Sequence, residues 1–330
     1  LNNFTSEAAT RLVDLVAAVA DVFDTIAEEG TELMSSEAEI NIVDAARTIG
    51  GNLINITRQV SYTGIVALGM TFVIIAGGID LSIGSLLALA GVSGIMLMGK
   101  IADPAAAVLA AFAVTLGIGI LGGAVNGAII TLGKVPSFIA TLGTLSIYRS
   151  LSLYMADAGT VSSGNDMFRS LGSAAFLGLP LPAWIFFGLA VVFGVVLRQT
   201  SLGRHICATG ANPKAAEYAA IRTSVIRFIT YAIAGFTAGV SAFLFSTRLN
   251  SISSTDAGLS YELDAIAAAI IGGTAMNGGR GSIAGTVAGV FILGIISNAL
   301  DMWGAPVNLQ GLVKGSIIIV AVLIQRQRNS

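Results

Sequence analysis

The chain has 330 residues, 55% of them hydrophobic and 11% charged, about half the charged share of a soluble domain. One cysteine (Cys207) and one histidine (His205) exclude a disulfide framework, a cysteine-based metal site, a zinc site and a Ser-His-Asp triad. The net charge of −2 comes with no basic patch interleaved with aromatics, so nothing points to nucleic acid, and the composition is that of a polytopic membrane protein.

The acids are unevenly placed. Ten of the nineteen lie in the first 45 residues, where only Arg11 opposes them, so the chain divides near residue 50. Residues 1–50 read as an acidic amphipathic helical region and 51–330 as a transmembrane domain. Leu12, Leu15, Val19, Val22 and Ile26 form one apolar seam, with Asp14, Asp21, Asp24 and Glu28 off it. Gly30 ends this helix, and Ser36-Glu37-Ala38-Glu39 has the form of a capping box that starts another. No stretch here has the ~20 apolar residues of a span, and no basic n-region marks a signal peptide. The surplus acid also suits anionic lipid poorly. The expectation is a helical hairpin, soluble or docked on a partner, with a shallow interfacial helix as the second reading, and Leu1 in place of Met suggests processing or trimming.

From residue 60 apolar stretches alternate with short polar breaks: 60–77, 83–99, 106–132, 136–155, 181–197, 225–247, 263–275, 283–302 and 310–324. Most reach the ~17–25 residues of a spanning helix, whereas 263–275 reads as short or re-entrant, bounded by Gly272-Gly273. The fold class is all-α, an integral membrane bundle of about eight to nine segments, some broken. Within 106–132 the pairs Gly119/Gly123 and Gly123/Gly127 are spaced for close helix contact.

Between the first two apolar stretches runs Gly77-Gly78-Ile79-Asp80-Leu81-Ser82, a lone carboxylate at a helix break. An acid at membrane depth costs roughly 2.5–3.5 kcal/mol on insertion scales and needs a protein or water partner. Glycines before it let backbone line a cavity. Asp80 is thus either an N-cap for the second helix or part of a cavity wall. Arg149, inside 136–155, either snorkels or forms a structural ion pair with an acid such as Asp80. Lys314 is expected to snorkel at the end of the last span, while Glu262 and Asp264 suit the N-terminal dipole of a short helix.

Orientation follows from the bases. Arg198, Arg204, Lys214, Arg222 and Arg227 face one acid, Glu217, which places this segment in the cytoplasm together with Arg326 and Arg328. Outer loops are then 157–179 and 250–262. Counting back puts residues 1–50 outside unless a further span precedes residue 60. Within the basic segment Asn212 is a good N-cap, Pro213 fits the first helical position, and Lys214-Ala215-Ala216-Glu217-Tyr218-Ala219 continues a short helix over 212–221. Gly203 and Gly210 read as flexible connections before it. Such a helix either links spans or docks a cytoplasmic protein.

The segments Gly77-Gly78-Ile79-Asp80-Leu81-Ser82-Ile83-Gly84-Ser85, Val135-Pro136-Ser137-Phe138-Ile139-Ala140-Thr141-Leu142 and Ser201-Leu202-Gly203-Arg204-His205 resemble signatures of monosaccharide ABC-importer permeases. Tyr261-Glu262-Leu263-Asp264-Ala265-Ile266-Ala267 and the glycine-rich run from Gly272 to Ser282 do so as well. The resemblance is to the ribose-type group, with xylose, arabinose, galactoside and autoinducer-2 relatives, and it covers residue 50 to the end.

It implies a multi-pass subunit of the bacterial inner membrane that pairs with a second permease copy, receives a monosaccharide from a periplasmic sugar-binding protein and is driven by a cytoplasmic ABC ATPase. ATP hydrolysis would lie in that separate subunit, and no cofactor is implied. Helix 212–221 resembles the family's coupling helix. Gly77, Gly78, Asp80, Ser82 and Asn126 would lie along the translocation pathway. The acidic first fifty residues depart from the family, whose members carry an apolar first span there.

Two other classes compete. A secondary transporter or channel would use Asp80 and Arg149 to handle protons or ions, but has no need for an ATPase dock. A membrane-embedded enzyme finds no paired acids and no HExxH-like helix in this inventory.

Overall fold

The computed structural model describes residues 42–306, 311–317 and 319, with side chains from residue 51 onward. The expected hairpin before residue 40 and the tail bases Arg326 and Arg328 lie outside these residues. The chain divides into two compact units, Leu1–Gly51 and Asn52–Ser330. Of the first, residues 42–51 are helical.

The second unit is built almost wholly of helices. After α1 (Ile42–Ile75) come α2 (Ile83–Met98), α3 (Pro104–Thr131) and α4 (Ser137–Met155). The short strand β1 (Thr160–Ser162), α5 (Asp166–Ser173) and the strands β2 (Ala175–Phe176) and β3 (Leu179–Pro180) lead into α6 (Leu181–Gln199). Then follow α7 (Ser201–Ala211), α8 (Pro213–Tyr218), α9 (Thr223–Leu249), β4 (Ser251–Ser253), α10 (Tyr261–Ile271) and α11 (Ile283–Met302). Among the described residues five stretches are long and apolar enough to cross a membrane: Gly51–Ile75, Pro104–Thr131, Leu181–Gln199, Thr223–Leu249 and Ile283–Met302. The protein is therefore a mainly helical membrane protein. α4 has the length, yet Arg149 and its run of serines and threonines keep it out of that group. α10, with 11 residues, is only about 16 Å long.

The core is α2. Every residue from Ile83 to Ile95 is buried, so this helix is apolar all round because it has neighbours all round. α3 and α9 flank it and make the most extensive helix pair. Their approach is set by glycine: a side chain on Gly119 would strike the Gly235 carbonyl, and one on Gly123 the Tyr231 carbonyl. Gly235 and Gly239 on α9 answer them, so small residues on both helices bring the backbones together. Phe72 against Phe193 and Phe112 against Phe243, edge to face, fill the space farther out.

Chain ends of the helices gather at two opposite poles. At one pole lie the 132–136 turn, α7, α8 and the 272–282 loop; this is the basic end. At the other, β1 and β4 pair antiparallel, Thr160 opposite Ser253 and Ser162 opposite Ser251, which ties the 157–179 and 250–260 segments into one structure.

Three local expectations are corrected. Helix 212–221 is shorter, ending at Tyr218, because Ala220 turns left-handed (φ 61°) and Ile221 N–H bonds back to the Ala216 carbonyl. Gly203 and Gly210 are not flexible connections but members of α7, packed where a side chain would strike the Leu197 and Ile75 carbonyls respectively. Lys314 does not snorkel: its Nζ pairs with Asp264 Oδ2 at 3.0 Å.

Candidate functional site

The break between α1 and α2 is built residue by residue. Gly77 N–H bonds to the Ile74 carbonyl and Gly78 N–H to the Val73 carbonyl, a six-to-one closure that needs the left-handed backbone of Gly77 (φ 80°). The chain then climbs back along the interior in non-helical form to Ser82, so the carboxylate falls inside the bundle. Asp80 is 1% exposed. Its Oδ1 accepts from Ser82 N–H at 2.9 Å and from Ser82 Oγ at 2.7 Å. Asn126, on α3 and fully buried, donates from Nδ2 to Ser82 Oγ at 2.7 Å and to Asp80 Oδ2 at 3.3 Å. Asp80 is therefore not the N-cap of α2, which is Ser82 with no side-chain cap bond; its carboxylate instead holds the Ser82 amide and hydroxyl and joins a buried cluster. Asn126 Oδ1 stays buried with no hydrogen-bond partner among the described residues, an acceptor left open in the cluster.

Around this cluster stand residues that the sequence did not single out. The Tyr231 hydroxyl donates to the Ile79 carbonyl at 3.2 Å, Ile79 N–H donates to Ser137 Oγ at 3.4 Å, and the Tyr148 hydroxyl donates to the Gly122 carbonyl at 2.9 Å. The first two satisfy backbone of Ile79 that the break frees, as an irregular segment inside a membrane protein requires, while the third ties α4 to α3. Their types and positions carried no periodic signal, since aromatic residues within an apolar span read as packing. Below the break, toward the basic end, lies a cavity of about 480 Å³ lined by Gly77, Gly78, Ser137, Arg227 and Tyr231 among others.

Arg149 is not paired with Asp80. Its Nη1 donates to the carbonyls of Ser254 at 2.9 Å, Ala257 at 3.0 Å and Thr255 at 3.3 Å. The physical reason is position: Asp80's oxygens are already taken by Ser82 and Asn126, whereas the re-entering 254–257 turn offers three unpaired carbonyls beside α4.

Gly77 and Gly78 belong to a second junction. Gly279 N–H bonds to the Ile75 carbonyl at 2.8 Å, and Gly210 packs so closely on that carbonyl that no side chain fits. The end of α1, the end of α7 and the 272–282 loop therefore meet backbone to backbone. Directly after α7 comes α8, capped by Asn212 Oδ1, which accepts from Ala215 N–H at 3.1 Å. Lys214, Ala215, Glu217, Tyr218 and Ala219 are exposed, Tyr218 at 92%, while Ala216 is buried and anchors the helix from beneath. Asn212 is exposed and Pro213 half-buried. The sequence-derived residues thus fall into two groups: Gly77, Gly78, Asp80, Ser82 and Asn126 at the break, and the 212–219 helix at the basic end, with the glycine junction between them.

Titrating groups outside the spans are perturbed at both ends of the fold. Burial pushes the Cys207 thiol up, and hydrogen bonds from Ser253 and Thr255 hold Asp256 below the usual carboxylate range. Among the described residues no cluster of three or more His, Cys, Asp or Glu is arranged for a metal.

Residues 52–322 match the family described as branched-chain amino acid transport system / permease component. The chain is 40% identical over 283 residues to the ribose import permease protein of Bacillus subtilis (strain 168), covering 84% of this chain and 86% of that one. It is 39% identical to the ribose import permease of Haemophilus influenzae, over 82% of this chain and 84% of that one. With the L-arabinose transport system permease of Escherichia coli (strain K12) it shares 31% identity, over 84% and 83%. No solved structure matches the chain significantly.

Proposed function

The chain belongs to this family of transport-system permease components, and from that premise we propose that it is the membrane subunit of an ATP-driven monosaccharide importer. In this reading a pair of permease copies spans a bacterial inner membrane with about eight to nine segments each. The basic end faces the cytoplasm, as the positive-inside bias of Arg198 to Arg227 favours. A periplasmic sugar-binding protein delivers substrate to the opposite end. The single observation that carries the sugar assignment is the identity shared across more than four-fifths of the chain with ribose permeases, above that with the arabinose relative.

The geometry supports each part. Asp80, Ser82 and Asn126 supply a carboxylate, a hydroxyl and an open amide oxygen, the groups that exchange hydrogen bonds with sugar hydroxyls. They sit at a helix break, where substrate pathways of transporters run. The broad outward side of α4, with Phe138 and Leu142 exposed at one margin and Ile147 and Leu151 at the other, offers a face for the second copy. α8 presents Lys214, Ala215, Glu217, Tyr218 and Ala219 outward on a base fixed by Ala216, as a dock for a cytoplasmic ATPase. Residues 1–50 act as a separate acidic region in this reading. The ion-carrier alternative needed an Asp80–Arg149 pair, and Arg149 is spent on backbone carbonyls.

The test is reconstitution with candidate ATPases and sugar-binding proteins. Sugar-stimulated ATP hydrolysis and ribose-class uptake are expected. Ala219→Arg, at the exposed rim of α8, is expected to lower both at least tenfold while membrane abundance holds; full activity in that variant removes the docking role.

A further inference from the structure

We propose that Arg149 is a positioning residue that holds residues 254–260 in place as the outer gate of the translocation route, an inference that rests on the permease reading above. Arg149 lies six residues before the end of α4, about 9 Å from that pole. A long cationic side chain at such depth ordinarily extends toward the interface. Here one guanidinium nitrogen instead gathers three carbonyl oxygens from a single turn, Ser254, Thr255 and Ala257. Ser254, Ala257 and Gly258 are buried while Thr255, Asp256, Leu259 and Ser260 are exposed, so the turn sits at the rim of the bundle with one side facing inward.

The same segment closes over the start of α2. Gly258 (φ 66°) and Ser260 (φ 64°) turn the chain twice through left-handed backbone, so that it enters and leaves the bundle within a few residues. At the bottom of this turn the backbones of Gly258 and Gly84 touch; a side chain on either would fall on the other's carbonyl. Gly84 is two residues past Ser82, so the turn stands between the opposite pole and the Asp80–Ser82–Asn126 cluster. Its upper end is fixed separately, by the β1–β4 pairing and by Ser254 N–H and Oγ on the Gly159 carbonyl at 3.1 and 2.9 Å. A pull on that exposed ribbon from outside therefore acts on the turn against the grip of Arg149. Without the guanidinium the three carbonyls lose their donor, two of them partly buried, and the turn loses its lower anchor.

The experiment places a reporter under the gate: Ser85→Cys, next to Gly84 and 4% exposed, in a Cys207→Ser background. Intact cells are treated with a membrane-impermeant maleimide. Slow labelling is expected with Arg149 present, labelling at least tenfold faster in Arg149→Ala, and an intermediate rate in Arg149→Lys, which keeps the charge but not the fork. Gly258→Ala, which forces the turn off Gly84 with Arg149 intact, is expected to accelerate labelling as well. Unchanged labelling in Arg149→Ala overturns the proposal, as does equal acceleration in inverted vesicles, which means general loosening. Should Arg149→Ala not reach the membrane, Arg149→Lys and Gly258→Ala decide in the same way, and unchanged rates in both overturn it. Labelling needs neither ATPase nor sugar, so failure of sugar uptake in the parent protein strikes the permease reading alone.

Discussion

At the scale of single residues, Asp80 shows how a buried carboxylate is tolerated by being used. Three donors, the Ser82 amide, the Ser82 hydroxyl and the Asn126 amide, converge on it. Asp80→Ala strands the Ser82 amide and hydroxyl, at about 1–3 kcal/mol for each buried group left without a partner, while Asn126 Nδ2 keeps its bond to Ser82 Oγ. Asp80→Asn keeps an acceptor for Ser82 but sets one amide group against another. The expected order of thermal midpoints in detergent is parent, then Asn, then Ala, with ribose-class uptake falling in the same order. Equal midpoints for Asn and Ala would mean that the Ser82 bonds contribute nothing. Cys207 gives a second residue-level outcome. Burial raises its pKa, so its thiolate fraction at neutral pH is below that of an ordinary cysteine. Maleimide modification of the native protein is expected to be slower than of the denatured chain and to quicken as pH rises.

At the scale of elements, the α3–α9 pair is the tightest contact and depends on the absence of side chains. Gly123→Ala places a methyl group on the Tyr231 carbonyl, and Gly235→Ala one on the Gly119 carbonyl. Overpacking of this kind costs about 1–3 kcal/mol. Thermal unfolding in detergent is expected to show a clear loss for each, whereas Gly117→Ala, with open space around it, is expected to be silent. The spacing of Gly119 and Gly123 was legible in the sequence. Their partners Gly235 and Gly239 were not, because nothing in a one-dimensional pattern says which of several small-residue faces meet. α8 teaches the same lesson in reverse. Its N-cap and proline were readable, but Ala216 and Ala219 look alike in sequence, and only packing against the rest of the fold makes one an anchor and the other an exposed rim.

At the scale of the whole molecule, the two groups of candidate residues are joined by backbone contacts at Gly77, Gly210 and Gly279. In the permease reading, motion of α8 reaches the break through α7 and this junction with no side chain between. Gly210→Ala, whose methyl would overlap the Ile75 carbonyl, is expected to leave ATP hydrolysis present but cut uptake several-fold. A proportional loss of both activities would point to lost docking or folding instead.

The sequence by itself determined the class of the protein, most helix positions, the break at Gly77–Ser82 and the cap at Asn212. All of these follow from local signals: apolar run length, left-handed glycine and capping chemistry. It also carried the family through several ordered motifs. Only the tertiary structure decided what Arg149 and Lys314 hold, which glycines are contacts and not hinges, and that the 254–260 turn comes back to meet the start of α2. The reason is physical. A lone charge or glycine states a need for a partner or for space, but the partner is supplied by residues far along the chain, as Ala257, 108 positions on, is for Arg149.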